Sequence, residues 1–139
     1  MNRISRLAAV MALVSILTLP AIARAADLGL TSFEGTWHNT DPNAQGLATV
    51  IITDADGIQI QVFSACPPDL CDWGVVTGTA YGRNDSAVLA KTFLAIYDSD
   101  HGESVVTGSR YGPYLKLDVF TMAGGGKSDV FLTGVFQKE

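Results

Sequence analysis

The side chains able to do chemistry are few. The 139-residue chain holds two cysteines and two histidines. Cys66 and Cys71 sit in the stretch Cys66-Pro67-Pro68-Asp69-Leu70-Cys71-Asp72-Trp73-Gly74. Their spacing is not Cys-x-x-Cys, and no basic residue lies nearby to hold a thiolate, so a redox dithiol is a poor fit. A metal pair would need Asp69 and Asp72 as further ligands, and two Cys with two His do not build a common zinc framework. His38 follows Trp37, and His101 falls in the polar stretch Asp98-Ser99-Asp100-His101-Gly102. No Gly-x-Ser-x-Gly elbow is present to raise a serine nucleophile. Asp98, Asp100 and Glu103 read as a solvated turn, with a carboxylate pair or ion site as the alternative. Asp54-Ala55-Asp56-Gly57 has the opening of a calcium loop, but the later ligands are missing and Ile58 starts an apolar run, so a hairpin turn is expected.

The N-terminal segment decides the chemistry open to the cysteines. Arg3 and Arg6 precede an uncharged, mainly apolar run at residues 7–19, broken by Pro20. Ala23-Arg24-Ala25 supplies the small residues that a signal peptidase reads. This is the layout of a secretory signal peptide at residues 1–25. The apolar run reaches about 20 Å as a helix, short of the roughly 30 Å needed to span a bilayer. Residues 26–139 are then expected as a single exported domain, periplasmic or secreted in a bacterium, with no transmembrane segment after cleavage. In that oxidising compartment Cys66 and Cys71 are expected as a disulfide.

Composition excludes other classes. Of all residues 47% are hydrophobic and 17% charged, too apolar for a disordered chain. The formal charge is -5, and because Arg3, Arg6 and Arg24 leave with the signal while no acid does, the exported part is near -8. That sign argues against nucleic acid as a partner.

What positions these side chains is a series of strands. Turn-forming Gly, Asp, Asn and Pro clusters separate eight runs rich in Val, Ile, Thr, Phe and Tyr, at residues 35–39, 47–53, 58–65, 74–81, 88–97, 104–110, 114–122 and 128–137. Ile58, Ile60 and Val62 alternate with Gln59 and Gln61. Leu115, Leu117 and Val119 alternate with Lys116 and Asp118. Val130, Leu132 and Phe136 oppose Asp129, Thr133 and Gln137. Period-two alternation gives each strand one dry and one wet face. A short helix at residues 86–91, behind Asn84 and Asp85, is the one helical alternative. The expected fold is all-β: an antiparallel, eight-stranded up-and-down β-barrel, with a β-sandwich as the alternative. A lipid-embedded barrel needs a continuous apolar outer band, which Lys116, Asp118 and Gln137-Lys138-Glu139 interrupt. Several of the aromatic residues Phe63, Tyr81, Phe93, Tyr97, Tyr111, Tyr114, Phe120 and Phe131 fall on the wetter face and form a candidate outer patch.

Gly35-Thr36-Trp37 in the first strand of a small barrel resembles the calycin superfamily of lipocalins and avidins. That resemblance implies a structural role at the barrel end for Gly35 and Trp37. The wider pair of motifs, Gly35-Thr36-Trp37-His38-Asn39-Thr40-Asp41-Pro42 and Cys66-x4-Cys71-Asp72-Trp73-Gly74, resembles a small exported bacterial β-barrel domain of uncharacterised function. The likeness implies a barrel, export and a disulfide, and no activity. An avidin-type biotin site is not expected, because no tryptophan follows Trp73.

The functional expectation is an exported, non-catalytic binding barrel with no cofactor or metal, whose partner is a protein, a glycan or a small ligand. The expected working rim is Trp73 and Asp72 from the cysteine stretch, with Asp41 and Asn43 from the neighbouring turn. One alternative is an inhibitor of an extracellular or periplasmic hydrolase, such as a protease or lysozyme, for which an acidic surface suits a basic enzyme. The other is a small enzyme using His38 and Asp41.

Overall fold

The computed structural model describes residues 28–99 and 102–139; the expected signal segment, Asp100 and His101 lie outside them. The described chain forms nine strands: β1 (Gly35–Asn39), β2 (Leu47–Asp54), β3 (Ile58–Cys66), β4 (Asp69–Thr77), β5 (Thr79–Tyr81), β6 (Thr92–Ser99), β7 (Gly102–Tyr111), β8 (Tyr114–Ala123) and β9 (Val130–Lys138). All belong to one antiparallel sheet in the order β4-β3-β2-β1-β9-β8-β7-β6-β5. The terminal strands of that order, β4 and β5, are consecutive in the chain and joined by Gly78 alone. The sheet therefore curls into a nearly closed up-and-down barrel, with β4 on β3 and β5 on β6.

The eight expected runs become nine strands because the fourth divides at Gly78, where pairing passes from one neighbour to the other. The cysteine stretch is also more regular than a loop. Cys66 pairs with Asp69, Ala65 with Leu70 and Ser64 with Cys71, so only Pro67 and Pro68 are left to turn the chain. Two prolines suit that place, since neither can donate to a ladder. Residues 86–91 are not helical. Asn84 closes a single turn through its side chain to the Ser86 N–H. The segment is then held by Gly29, which donates to Val88 and accepts from Ala90. These tertiary bonds take the backbone groups a helix would have used.

The interior follows the alternation. Ile58, Ile60, Val62, Leu115, Leu117 and Val119 are all buried, as are Val50, Ile52, Phe93, Val106 and Phe136. The largest of the fully buried side chains are Trp37, Phe33, Phe93 and Phe136, which fill the barrel with hydrocarbon. In a lipid-embedded barrel the distribution is reversed, with the apolar band facing out.

Strand directions define two ends. The 55–57, 82–91 and 112–113 connections lie at one end, with residues 28–34 drawn across it as a plug. Phe33 enters the core, edge-on to Phe93 at 5.6 Å. Trp37 Nε1 donates to the Phe33 carbonyl at 2.7 Å, and the Arg110 guanidinium lies 4.8 Å from the Trp37 ring centroid. Arg110 also donates to the carbonyls of Ser32 and Gly112, tying plug to barrel. Gly35 has φ of +125°, and a Cβ there would stand 2.5 Å from Lys138 Cε, so the first strand enters beside Lys138 only as glycine.

The other end is open and carries the cysteine hairpin. Cys66 and Cys71 form a disulfide with Cα atoms 5.5 Å apart. Its loop is short, so loop-closure entropy assigns it about 2 kcal/mol. The Cys66→Ser/Cys71→Ser variant is expected to lose about that much in urea unfolding and to remain a folded barrel. Loss of the cooperative transition would show that the bridge holds the whole fold.

Candidate functional site

At the open end the barrel wall is incomplete on the β4–β6 side. β5 covers β6 only from Thr92 to Leu94, and the chain before Gly78 pairs with β3 instead. Two aromatic side chains close the gap. Trp73 of β4 meets Tyr97 of β6 edge-on, with ring centroids 5.5 Å apart. Tyr97 Oη donates to the Ile60 carbonyl on β3 at 2.8 Å, and Trp73 Nε1 donates to Ser64 Oγ at 3.0 Å.

A bulge sets Trp73 in this position. Between the pairs Gln61↔Val75 and Phe63↔Asp72, β4 carries one residue more than β3. The extra residue bends the strand and re-aims its side chains. Asp72 fastens the bulge, since one carboxylate oxygen accepts from the Gly74 N–H and the other from Gln61 Nε2, both at 2.8 Å.

Above the aromatic pair lies a cleft of about 460 Å3. Ser64, Ser104 and Thr121 give it hydroxyls, the Cys66–Cys71 bridge gives it sulfur, and Asp72 and Asp98 stand on the two strands that bound the gap. Ser104 and Thr121 share a hydrogen bond of 2.8 Å, which leaves one hydroxyl proton of the pair free to turn outward.

Burial raises the pKa of Tyr97 well above its ordinary value of 10.0, and the Asp72 carboxylate adds to the shift. The folded chain thus keeps a proton that the unfolded chain releases. That contribution is intact below pH 10.0 and is lost as pH rises beyond it. Unfolding free energies from urea titration are expected to fall above that pH, by up to about 1.4 kcal/mol per pH unit from this group, and Tyr97→Phe is expected to flatten the fall. Identical alkaline limbs in the two proteins would overturn this assignment.

The four rim residues expected from the sequence divide between two places. Trp73 and Asp72 line the cleft just described. Asp41 lines a second gap of about 230 Å3 on the other side of the barrel, between β9 and the 40–46 turn, with Leu117, Leu132 and Phe136. That gap exists because β1 pairs with β9 only from Trp37 to Asn39. Leu132 and Val130 keep the expected inward parity but stay partly exposed there. Asn43 serves the turn: its N–H donates to Asp41 Oδ1 at 2.9 Å, and its carbonyl accepts from Gln45. Both turns share one end, joined by the Ala65 N–H on the Gly46 carbonyl. His38 faces out, against Thr49 at 3.1 Å and Glu139 at 3.7 Å, while Asp41 is engaged by Asn43.

Tyr97, Ser104 and Thr121 were missed as site residues by sequence reasoning, and Asp98 was weighed only as part of a solvated turn or ion site with Asp100 and Glu103. Only the strand pairing shows that β6 lacks a partner where they stand. The outer patch, by contrast, is present. Ile96 faces Val105, Val105 faces Phe120 and Phe120 faces Phe131, forming one outward row across four strands. Phe120 and Phe131 are about half exposed, and their rings touch at 5.0 Å. Phe93 and Tyr97 belong instead to the interior.

Among the described residues no helix is long and apolar enough to cross a membrane, and no group of three His, Cys, Asp or Glu side chains could hold a metal. The disulfide is compatible with an exported, oxidising location. No family model, no curated protein and no solved structure matches the chain.

Proposed function

We propose that the protein is an exported, non-catalytic binding barrel whose binding site is the Trp73–Tyr97 cleft. One observation carries this reading: the barrel interior is packed, while the open end keeps a concave site with an aromatic floor and polar walls. Few convergent polar groups in a partly apolar hollow are what small-molecule sites are made of. The calycin-like reading of Gly35-Thr36-Trp37 is supported by the buried Trp37 under Arg110, with the plug drawn across that end. Packing leaves no room for a ligand deep inside, so binding falls to the mouth.

The test is a ligand screen on the full exported chain and on Trp73→Ala, read by thermal shift and calorimetry. A compound that stabilises the parent and not the variant supports the reading. Compounds that bind both equally well place the site elsewhere and overturn it.

The outer row favours a second reading, inhibition of an envelope hydrolase. An exposed apolar stripe ending in a Phe120–Phe131 pair, beside Glu103, Asp118 and Asp129, suits a protein partner with an apolar centre and a basic rim. Titration against a lysozyme and a set of secreted proteases tests it. Undiminished hydrolysis at micromolar excess removes the reading.

A further inference from the structure

Resting on the binding reading, we infer that the β4–β6 cleft takes an organic cation: an ammonium group carried on a small apolar body. The sign of the site comes first. Its ionisable lining consists of Asp72, Asp98 and the Tyr97 phenol, and no basic side chain is among the described residues that line it. An anion would meet repulsion on both sides of the gap.

The second argument is a like-charge pair at the rim. Asp98 on β6 lies directly opposite Glu103 on β7, on the outward parity of Ile96 and Val105. Like charges facing each other across an antiparallel pair cost stability, and a cation beside Asp98 would offset that cost. Several cations among the described residues are committed elsewhere. Lys116 is engaged by Asp118 at 3.0 Å, and Arg110 and Lys138 lie over Trp37 at the far end.

The third argument is the aromatic floor. Indole and phenol faces attract cations, and the attraction grows when water is excluded. Trp73 and Tyr97 are anchored by their own hydrogen bonds, so the pair is preorganised rather than assembled on binding. The pKa of Tyr97 is raised chiefly by burial, and the smaller contribution of Asp72 agrees with a negative field at this floor. A neutral polyol could use the hydroxyls of Ser64, Ser104 and Thr121, but it would leave the charges unused.

Choline and its uncharged isostere 3,3-dimethylbutan-1-ol separate these cases, because the two share shape and differ in charge. Calorimetry on the full exported chain with its disulfide intact is expected to show saturable choline binding, with the isostere weaker by about tenfold. Asp98→Asn is expected to weaken choline by about threefold and leave the isostere unchanged. Asp98 is the preferred variant because Asp72 also fastens the bulge. Trp73→Ala is expected to abolish both. Equal affinity for choline and the isostere, both lost in Trp73→Ala, would overturn the cation and leave the cleft as a binding site. Choline binding unaltered by Trp73→Ala would overturn the cleft as well. Failure of choline to bind at any accessible concentration overturns the cation assignment.

Discussion

Trp37→Ala is expected to lower the stability of the barrel by about 3–5 kcal/mol or more. Trp37 is fully buried, and the substitution removes the largest side chain of the core. Truncations of this size cost about 3–5 kcal/mol in transfer and cavity terms. A domain of this kind has about 5–15 kcal/mol in all, so the loss takes from about a fifth of it to nearly the whole. Three further contacts go at once. The Phe33 carbonyl loses its donor at 2.7 Å, and the Arg110 and Lys138 cations lose the ring they cover. Arg110 would still bond Ser32 and Gly112, but around an empty centre.

Two milder variants apportion the loss. Trp37→Phe keeps an aromatic ring and removes the N–H, leaving a buried carbonyl unsatisfied at about 1–3 kcal/mol. Arg110→Met keeps most of the stem and removes the charge, expected at about 1 kcal/mol with its carbonyl bonds counted in. Far-UV circular dichroism in urea reads all three, since indole fluorescence is altered by the substitution itself. A Trp37→Ala midpoint close to that of the parent would mean that residues 28–34 do not seal the barrel through this side chain.

The Trp37 end was legible in the sequence. Gly35-Thr36-Trp37 was singled out by its resemblance to calycin barrels, and the structure sets a glycine at positive φ two residues before a fully buried tryptophan. Residues 58–62 and 115–119 were equally plain, because strict alternation leaves only one face to bury. The β9 run shows where such reasoning ends. Val130 and Leu132 have the parity of Phe136, yet only Phe136 is fully covered. Coverage depends on where β1 stops, and that is set by the Asn39 side chain, which donates to the Leu47 carbonyl at 2.7 Å and accepts from the Asp41 N–H.

The site was half legible. Trp73 and Asp72 stood out as an aromatic and an acid beside a cysteine hairpin. Their partners Tyr97 and Asp98 lie 24 or more residues downstream in an ordinary-looking strand. No local pattern ties them to the cysteine hairpin, because the cleft is a property of an absent pairing. The bulge that turns Trp73 inward was hidden for the same reason: counting residues along one strand does not show that its neighbour has one fewer. Asp41 and Asn43, chosen from turn chemistry, chiefly serve that chemistry.

The cleft depends on Gly78, and the second large effect is expected there. At this residue the chain leaves β3 and joins β6, and the two neighbours converge on it. A Cβ would stand 2.7 Å from Ile60 Cδ1 and 2.8 Å from the Leu94 carbonyl oxygen. The isoleucine tip is fully buried and has little room to turn, while the carbonyl belongs to the ladder that pairs β5 with β6. Gly78→Ala is therefore expected to cost about 1–3 kcal/mol, and Gly78→Val more. The strain has two outlets, and they are separable. Ile60→Val removes the Cδ1 contact, so Gly78→Ala/Ile60→Val recovers stability beyond the sum of the single effects only to the extent that side-chain crowding matters. The carbonyl contact remains in the double variant. Its relief requires β5 to move off β6, which lengthens the gap spanned by Trp73 and Tyr97. Amide exchange is expected to quicken at Ala80 and Phe93 while the β2–β3 ladder keeps its protection. Uniform quickening in both ladders would mean that the closure at Gly78 is not a separate unit. Quickening confined to β5 and β6, with weakened binding at the cleft, would show that one residue without a side chain sets the width of the site.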